Sequence, residues 1–108
     1  MGQELDVRLV PGRVRARLGG VVLADSEAVV VLHEGALRPV YYFPIEDVAL
    51  EYLDRSAHST YCPFKGNASY WHAAIGGLHV DNVMWGYEQP YEEALELSGR
   101  VAFYEERL

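Results

Sequence analysis

The side chains best suited to chemistry are concentrated in residues 58–71, whose sequence is HSTYCPFKGNASYW. This segment holds the only cysteine of the chain, Cys62, and its only lysine, Lys65. Pro63 holds Cys62 in an extended conformation, and Gly66 follows three residues after Pro63, which predicts a turn over residues 63–65. We therefore expect the turn to fold the Lys65 ammonium back towards the Cys62 thiol.

A cysteine beside a lysine indicates nucleophilic or redox chemistry. A free thiol is mostly protonated at neutral pH, whereas the reactive species is the thiolate. An ammonium about 4 Å away would favour the thiolate by roughly 1 kcal/mol in bulk water and by about 4 kcal/mol in a partly shielded cleft. His58 and His72 are the candidates for moving protons. The alternative is that Cys62 is an inert buried residue, that Lys65 is a solvated turn residue and that both histidines are structural.

Aromatic residues cluster around the same segment and indicate a small-ligand cleft, because tyrosine and tryptophan combine an apolar body with a hydrogen-bonding tip. The alternative is that these rings simply fill a small β core. The four histidines, His33, His58, His72 and His79, show no recognisable ligand spacing, so we expect no metal and no cofactor. The candidate ligand-binding residues are Thr60, Tyr42, Tyr70, Trp71, Trp85 and Tyr87.

The length of 108 residues predicts one domain over 1–108, in which residues 1–12 form either a strand or an N-terminal arm. The net charge of −7 argues against nucleic-acid binding. A lone cysteine allows no internal disulfide, and we expect no leader segment, because residues 1–12 lack a charged region followed by an apolar one. The longest apolar run, Ala28 to Leu32, is too short to span a bilayer. We therefore expect a soluble, cytoplasmic protein without membrane contact.

Short strands with alternating apolar residues predict a mainly β fold. Residues 13–18 read R-V-R-A-R-L, and the pairs Gly19-Gly20 and Gly76-Gly77 are typical of hairpin turns. Ordered by hairpins alone, the strands predict two small antiparallel sheets with one or two short helices. The predicted strands cover residues 13–18, 21–24, 27–33, 40–43, 48–54, 67–75, 78–85 and 100–104.

The helical predictions are few. Tyr91, Ala94, Leu95 and Ser98 recur at helical spacing, so we expect a helix over Tyr91–Leu97 that ends before Gly99. Pro44 begins a single helical turn, with either a strand over residues 48–54 or a longer helix over residues 45–53 after it.

Five phrases of the chain resemble one known family. They are VVLADS, YYFPIEDV, TYCPFKGNASYW, WGYEQP and GRVAFY, and the family is the one known as domain of unknown function 427. The resemblance runs over roughly residues 13–104. The resemblance implies a β-tent fold, similar to the thalidomide-binding domain of cereblon and to methionine sulfoxide reductase B. The four-cysteine zinc site of many β-tent proteins is impossible in a chain with one cysteine. A nucleotidyltransferase label attached to the family is opposed by the residues, because neither an Asp-x-Asp pair nor a phosphate-binding glycine loop is present.

Three functions remain open. The first is a module that binds a small organic molecule in an aromatic-lined cleft. The second is an enzyme in which Cys62 is activated by Lys65 while His58 or His72 transfers protons. The third is an interaction protein that pairs through an exposed sheet edge, for example as a homodimer.

Overall fold

Antiparallel strands form most of the structure, a computed structural model that describes residues 5–108. The strands are β1 (Leu5–Leu9), β2 (Val14–Leu18), β3 (Val21–Ser26), β4 (Val30–Glu34), β5 (Val40–Pro44), β6 (Leu53–Cys62), β7 (Gly66–Ile75), β8 (Leu78–Gly86) and β9 (Arg100–Phe103). Short 3-10 helices cover Ile45–Asp47, Leu50–Tyr52, Glu92–Leu97 and Glu105–Arg107. None of these helices has the length and apolar character needed to cross a bilayer.

The strands are arranged in two sheets, which confirms the predicted mainly β fold. One sheet has seven strands in the order β1-β4-β5-β9-β8-β7-β6, and the other is the two-stranded ribbon β2-β3. Hairpin connections alone would leave β4-β5 and β6-β7-β8 in two smaller sheets. Because β9 pairs with both β5 and β8, these two groups of strands form one sheet. Both two-glycine hairpins form as predicted. The β-tent arrangement that the resemblance implies stays a prediction.

The seven-stranded sheet carries a core on each face, because adjacent residues of a strand point to opposite faces. Tyr42 and Phe43 of β5 lie in different cores, as do Tyr70 and Trp71 of β7. The ribbon core, under β2 and β3, includes Ala16, Leu23, Phe43, Trp71, Met84, Val101 and Phe103. The inner core, on the opposite face, consists of Val30, Leu32, Tyr42, Ala68, Tyr70, Tyr87, Ala94, Leu97 and Ala102.

A side-chain contact shows that the large sheet is curled. Lys65, between β6 and β7, donates a hydrogen bond of 2.5 Å to Glu34 at the end of β4. In a flat sheet β4 and β7 are separated by four strand spacings, or roughly 19 Å, which is too far for two side chains to meet. The sheet therefore curls around the inner core, and the contact joins its two ends.

Two local predictions need correction. The predicted helix over Tyr91–Leu97 is a 3-10 helix over Glu92–Leu97 with a kink at Ala94. Its buried residues, Ala94 and Leu97, are three apart, which is the spacing that a 3-10 helix places on one side. The strand predicted over residues 48–54 begins only at Leu53, after a 3-10 turn over Leu50–Tyr52. Residues 1–4 of the predicted arm lie outside the described residues, and the remainder contains β1.

Candidate functional site

The predicted turn between Cys62 and Gly66 is present. The backbone N–H of Lys65 donates to the carbonyl of Cys62 at 3.2 Å, and the carbonyl of Lys65 accepts from the N–H of Tyr91 at 3.0 Å. Gly66 has a φ of +111°, which an L side chain rarely adopts, so this position requires glycine. The turn is therefore stabilised by a hydrogen bond within it and by a second one to Tyr91, which precedes the 3-10 helix over Glu92–Leu97.

The Lys65 ammonium is bonded to a carboxylate of a distant strand. Its side chain is buried, with 7% of the residue exposed, and it forms an ion pair with Glu34, which is also 7% exposed. The ring of Tyr87 lies over the ammonium, 5.7 Å from nitrogen to ring centroid. Cys62 is a half-buried free thiol packed against the inner core. Lys65 is thus not a solvated turn residue, and the predicted activation of Cys62 by Lys65 stays a prediction.

The ion pair lies among phenols that remain neutral. Burial raises the pKa of Tyr42 and of Tyr87 far above the usual range for tyrosine. Taking a lysine and a glutamate out of water has a penalty of several kcal/mol for each ion, which their mutual attraction and further contacts must offset. Buried ion pairs such as the one between Lys65 and Glu34 occur at functional sites and also in purely structural networks.

Three of the predicted site residues meet on the β6–β7 hairpin. Thr60 Oγ1 and the hydroxyl of Tyr70 are hydrogen-bonded at 2.8 Å. The ring of His58 lies against that of Tyr70, with the centroids 4.5 Å apart. His58 is exposed and Tyr70 is buried in the inner core, so this group covers one side of that core.

Two other predicted ligand residues are packed together. Tyr42 meets Trp85 edge to face with a centroid distance of 6.4 Å, and Trp85 lies 4.4 Å from the ring of Tyr104. Burial raises the pKa of Tyr104 to about 12. Trp85 lines a small cleft of about 130 Å³ beside Tyr104, whereas Tyr42 is fully enclosed in the inner core.

The remaining two predicted ligand residues, Trp71 and Tyr87, line one cavity. It has a volume of about 320 Å³, close to the lower limit for small-molecule sites. We call it the Trp71–Tyr87 cavity. Gly86 lies in its wall where β8 meets β9, and a Cβ there would come within 2.9 Å of the Arg100 carbonyl. The cavity is lined by Ile45, Trp71, Gly86, Tyr87, Glu88, Ser98, Gly99, Arg100 and Val101.

The two charged residues of this cavity have different partners. Glu88 accepts hydrogen bonds from the guanidinium of Arg55 and from the hydroxyl of Ser69, and these bonds lower the pKa of the Glu88 carboxyl. Arg55 also lies over the Trp71 ring, 5.2 Å from its centroid. Arg100 donates to the backbone carbonyls of Glu96 and Ala28, at 3.2 and 3.1 Å.

The negative charge of Glu88 is therefore paired with the positive charge of Arg55, whereas Arg100 contacts only neutral carbonyls. Within residues 5–108 no carboxylate lies at ion-pair distance from the Arg100 guanidinium. The wall of the Trp71–Tyr87 cavity consequently carries an excess of positive charge.

A second, larger cavity lies on the ribbon side. Its volume is about 370 Å³, and it is lined by Val14, Arg15, Ala16, Tyr41, Phe43, Phe103, Glu105 and Leu108. None of the predicted site residues contributes to it. Cys62 and Lys65 are likewise absent from the walls of both cavities.

The fourth predicted catalytic residue, His72, lies away from Cys62. It is half-buried on the β7–β8 hairpin, and its Nδ1 accepts a hydrogen bond from the N–H of Asn82. The proton-transfer partnership predicted between His72 and Cys62 has no support in this geometry.

Glu34 and Arg100 are not identifiable as site residues from the sequence. Glu34 lies one residue beyond the strand predicted over residues 27–33, and nothing in the sequence indicates that a residue 31 positions later bonds to it. Arg100 follows the glycine that ends a helix and resembles an ordinary surface residue. Glu34 is the last residue of β4 and Arg100 is the first residue of β9. A charged residue at a strand end is the only feature of the sequence that points to either of them.

Comparison with curated proteins finds no match. The family model described as domain of unknown function (DUF427) matches residues 6–108, which is nearly the whole chain. This match agrees with the phrases identified in the sequence, and the chain therefore belongs to the DUF427 family.

Proposed function

We propose that this domain binds a small organic molecule in the Trp71–Tyr87 cavity. The observation that carries the proposal is the composition of the wall: two aromatic residues, two apolar residues and a small set of polar groups surround about 320 Å³. Ligand sites are mostly apolar with a few convergent polar groups, and they are concave and largely preformed. A planar ring in this cavity would bury apolar surface against its lining.

The segments that identify the family converge on this cavity. Eight of its nine lining residues lie in the phrases YYFPIEDV, TYCPFKGNASYW, WGYEQP and GRVAFY, and Ser98 is the exception. In the ribbon-side cavity only Tyr41, Phe43 and Phe103 come from those phrases, that is, three of eight lining residues. This contrast favours the Trp71–Tyr87 cavity as the site of the family's activity.

The charges of the wall favour an acidic ligand. Arg55 and Ser69 already satisfy Glu88, whereas Arg100 is bonded to neutral carbonyls. A carboxylate can form charge-assisted hydrogen bonds with a guanidinium, and these are stronger than bonds to a carbonyl. The ligand class that fits is a small planar molecule with a carboxylate or a similar oxygen-bearing group.

Tryptophan fluorescence provides the test. The variant Trp85→Phe leaves Trp71 as the only tryptophan, so its emission reports on the cavity. Benzoate, benzamide and benzylamine, titrated at millimolar concentrations, compare a negative, a neutral and a positive group on the same ring. We expect saturable quenching by benzoate, weaker quenching by benzamide and the weakest by benzylamine, and Arg100→Gln should remove that order.

Two matched substitutions show which cavity is responsible. Ile45→Phe places a larger side chain in the wall of the Trp71–Tyr87 cavity and so reduces its free volume. Val14→Phe does the same in the ribbon-side cavity. We expect Ile45→Phe to abolish the benzoate response and Val14→Phe to leave it intact. The proposal fails if none of the three probes gives a saturable change, or if Val14→Phe is the variant that removes it.

The enzyme built on Cys62 remains an alternative prediction without a favouring contact, because Lys65 is bonded to Glu34. Iodoacetamide labelling of Cys62 as a function of pH tests it: a thiol that reacts no faster than free cysteine would leave no case for catalysis. Cytoplasmic location and pairing as a homodimer likewise stay predictions.

A further inference from the structure

Three metal-ligating side chains lie together on the β7–β8 hairpin, on residues that do not line the Trp71–Tyr87 cavity. They are His72, His79 and Asp81, and one ligand atom from each lies within 4.8 Å of the others. His79 Nε2 is 2.7 Å from Asp81 Oδ1, and His72 Nδ1 is 3.5 Å from that same oxygen. The two imidazole rings have a centroid distance of 5.5 Å. A carboxylate oxygen thus lies between two imidazoles.

A β-bulge creates this arrangement. Trp71 pairs with Met84 and Ala73 with Val80, so the single residue His72 lies opposite three residues of β8. Asn82, in the middle of the bulge, has a φ of +47°. Bulges redirect side chains and are frequent beside functional sites. Here the extra residues bring Asp81 opposite His72, while His79 lies two residues before Asp81 on the same side of β8.

We propose that His72, His79 and Asp81 bind a divalent transition-metal ion of the Zn²⁺ type. Two imidazoles and one carboxylate form a donor set that such ions prefer, and three protein ligands leave at least one position for water. The spacing of the histidines matches no metal-binding motif, and from the sequence alone we expect no metal. The ligands come from two strands, and their proximity depends on a bulge that the histidine positions do not reveal.

Only small movements separate the present geometry from a metal site. Ligand atoms at 2.0–2.2 Å from a tetrahedral ion are roughly 3.3–3.6 Å apart, so the longest present separation has to shorten by about 1 Å. His79 and Asp81 are exposed and free to adjust by rotation. The ion would replace two hydrogen bonds, one from the Asn82 N–H to His72 Nδ1 and one between His79 and Asp81.

The surroundings hold the bulge without an ion. Arg107 donates to the carbonyls of Asp81 and Asn82, at 3.1 and 3.0 Å. Its positive charge reduces the local attraction for a cation, whereas the net charge of −7 increases it over longer distances. Since the backbone is fixed by Arg107, variants of the exposed ligands are expected to fold normally.

Isothermal titration of the untagged protein with ZnCl₂ tests this proposal. We expect one saturable site per chain, and we expect His79→Ala and Asp81→Asn each to weaken binding by at least about tenfold. His33→Ala, which removes an exposed histidine on β4, is the matched control and should leave the affinity unchanged. Cys62→Ser should also leave it unchanged, which excludes the thiol as the ligand.

The melting temperature supplies a second readout that does not depend on fitting an isotherm. Zn²⁺ should raise it for the wild-type protein and for His33→Ala, and should have no effect on His79→Gln. The proposal is overturned if the wild-type protein shows no saturable binding, or if His79→Ala and Asp81→Asn bind Zn²⁺ as tightly as the wild-type protein. Loss of binding in His33→Ala or Cys62→Ser would overturn it equally.

Discussion

Two ion pairs, one in contact with Tyr87 and the other including the next residue, Glu88, show how burial changes the role of the same kind of contact. Tyr87 covers the pair between Lys65 and Glu34, in which both side chains are about nine-tenths buried. Glu88, the next residue, belongs to the pair with Arg55, in which about half of each side chain is exposed. The first pair joins the ends of a curled sheet, and the second joins the rim of a cavity to an edge strand.

The difference lies in what happens when one partner is lost. An exposed charge that loses its partner is solvated by water, so exposed pairs contribute about 0–1 kcal/mol. A buried charge without its partner retains its full desolvation penalty. The buried pair is therefore expected to control whether the sheet closes, and the exposed pair is expected to adjust the local geometry of the Trp71–Tyr87 cavity.

The largest effect is expected for Lys65→Met. This change leaves the Glu34 carboxylate buried and unpaired, and we expect the free energy of unfolding to fall by about 3–5 kcal/mol, measured by urea denaturation. The double variant Lys65→Met, Glu34→Leu should recover most of the loss, because it removes both buried charges. A loss of less than about 1 kcal/mol in the free energy of unfolding of Lys65→Met would show that the buried pair is no more important for stability than an exposed one.

A smaller effect is expected for Arg55→Met. The Glu88 carboxylate remains partly hydrated and keeps the hydrogen bond from Ser69, so the loss should stay below about 1 kcal/mol in the same assay. Methionine retains contact with the Trp71 ring, which limits the change to the charge. If Arg55→Met lowered the free energy of unfolding as much as Lys65→Met, the difference in solvent exposure would not determine how much each ion pair contributes to stability.

The smallest effect is expected in the pH dependence of stability. The pKa of Glu88 is lowered in the folded protein, so its contribution is present above about pH 4.5 and is lost as the pH falls through the folded pKa. Since the side chain is about half exposed, this contribution should also remain below about 1 kcal/mol. The stability difference between wild type and Glu88→Gln should therefore shrink between pH 6 and pH 3, measured by urea denaturation across that range. A difference that is constant over the range would contradict this assignment.

Local features of the fold were accessible from the sequence. Gly19-Gly20 and Gly76-Gly77 marked hairpins because two-residue turns depend on local backbone preferences. The register of β9 between β5 and β8 was not accessible, since it depends on pairing between segments more than 50 residues apart, such as Phe43 with Val101. The predicted α-helix failed for a related reason, because the burial of Ala94 and Leu97 against the inner core decides the helix type.

The candidate site was accessible in part. Composition identified all four aromatic residues Tyr42, Tyr70, Trp71 and Tyr87, which are all buried in a core. It could not show that Trp71 and Tyr87 also line the cavity and that Tyr42 and Tyr70 do not. The direction of the Lys65 side chain depends on Glu34, which only the curl of the sheet brings into reach. A turn sequence shows where a backbone reverses, and it carries no information about which distant strand lies beneath it.

The free edges of the curled sheet determine how a second chain could add to it. In residues 5–108 the outer edges of β1 and β6 pair with no other strand. β6 is ten residues long, and its register shifts between Arg55 and Ser59, so its hydrogen-bonding groups do not form an unbroken row. Irregular and charged edges of this kind hinder strand addition. β1 is only five residues long and carries Asp6 and Arg8, and a short, charged edge strand also opposes strand addition, so both free edges hinder edge-to-edge assembly.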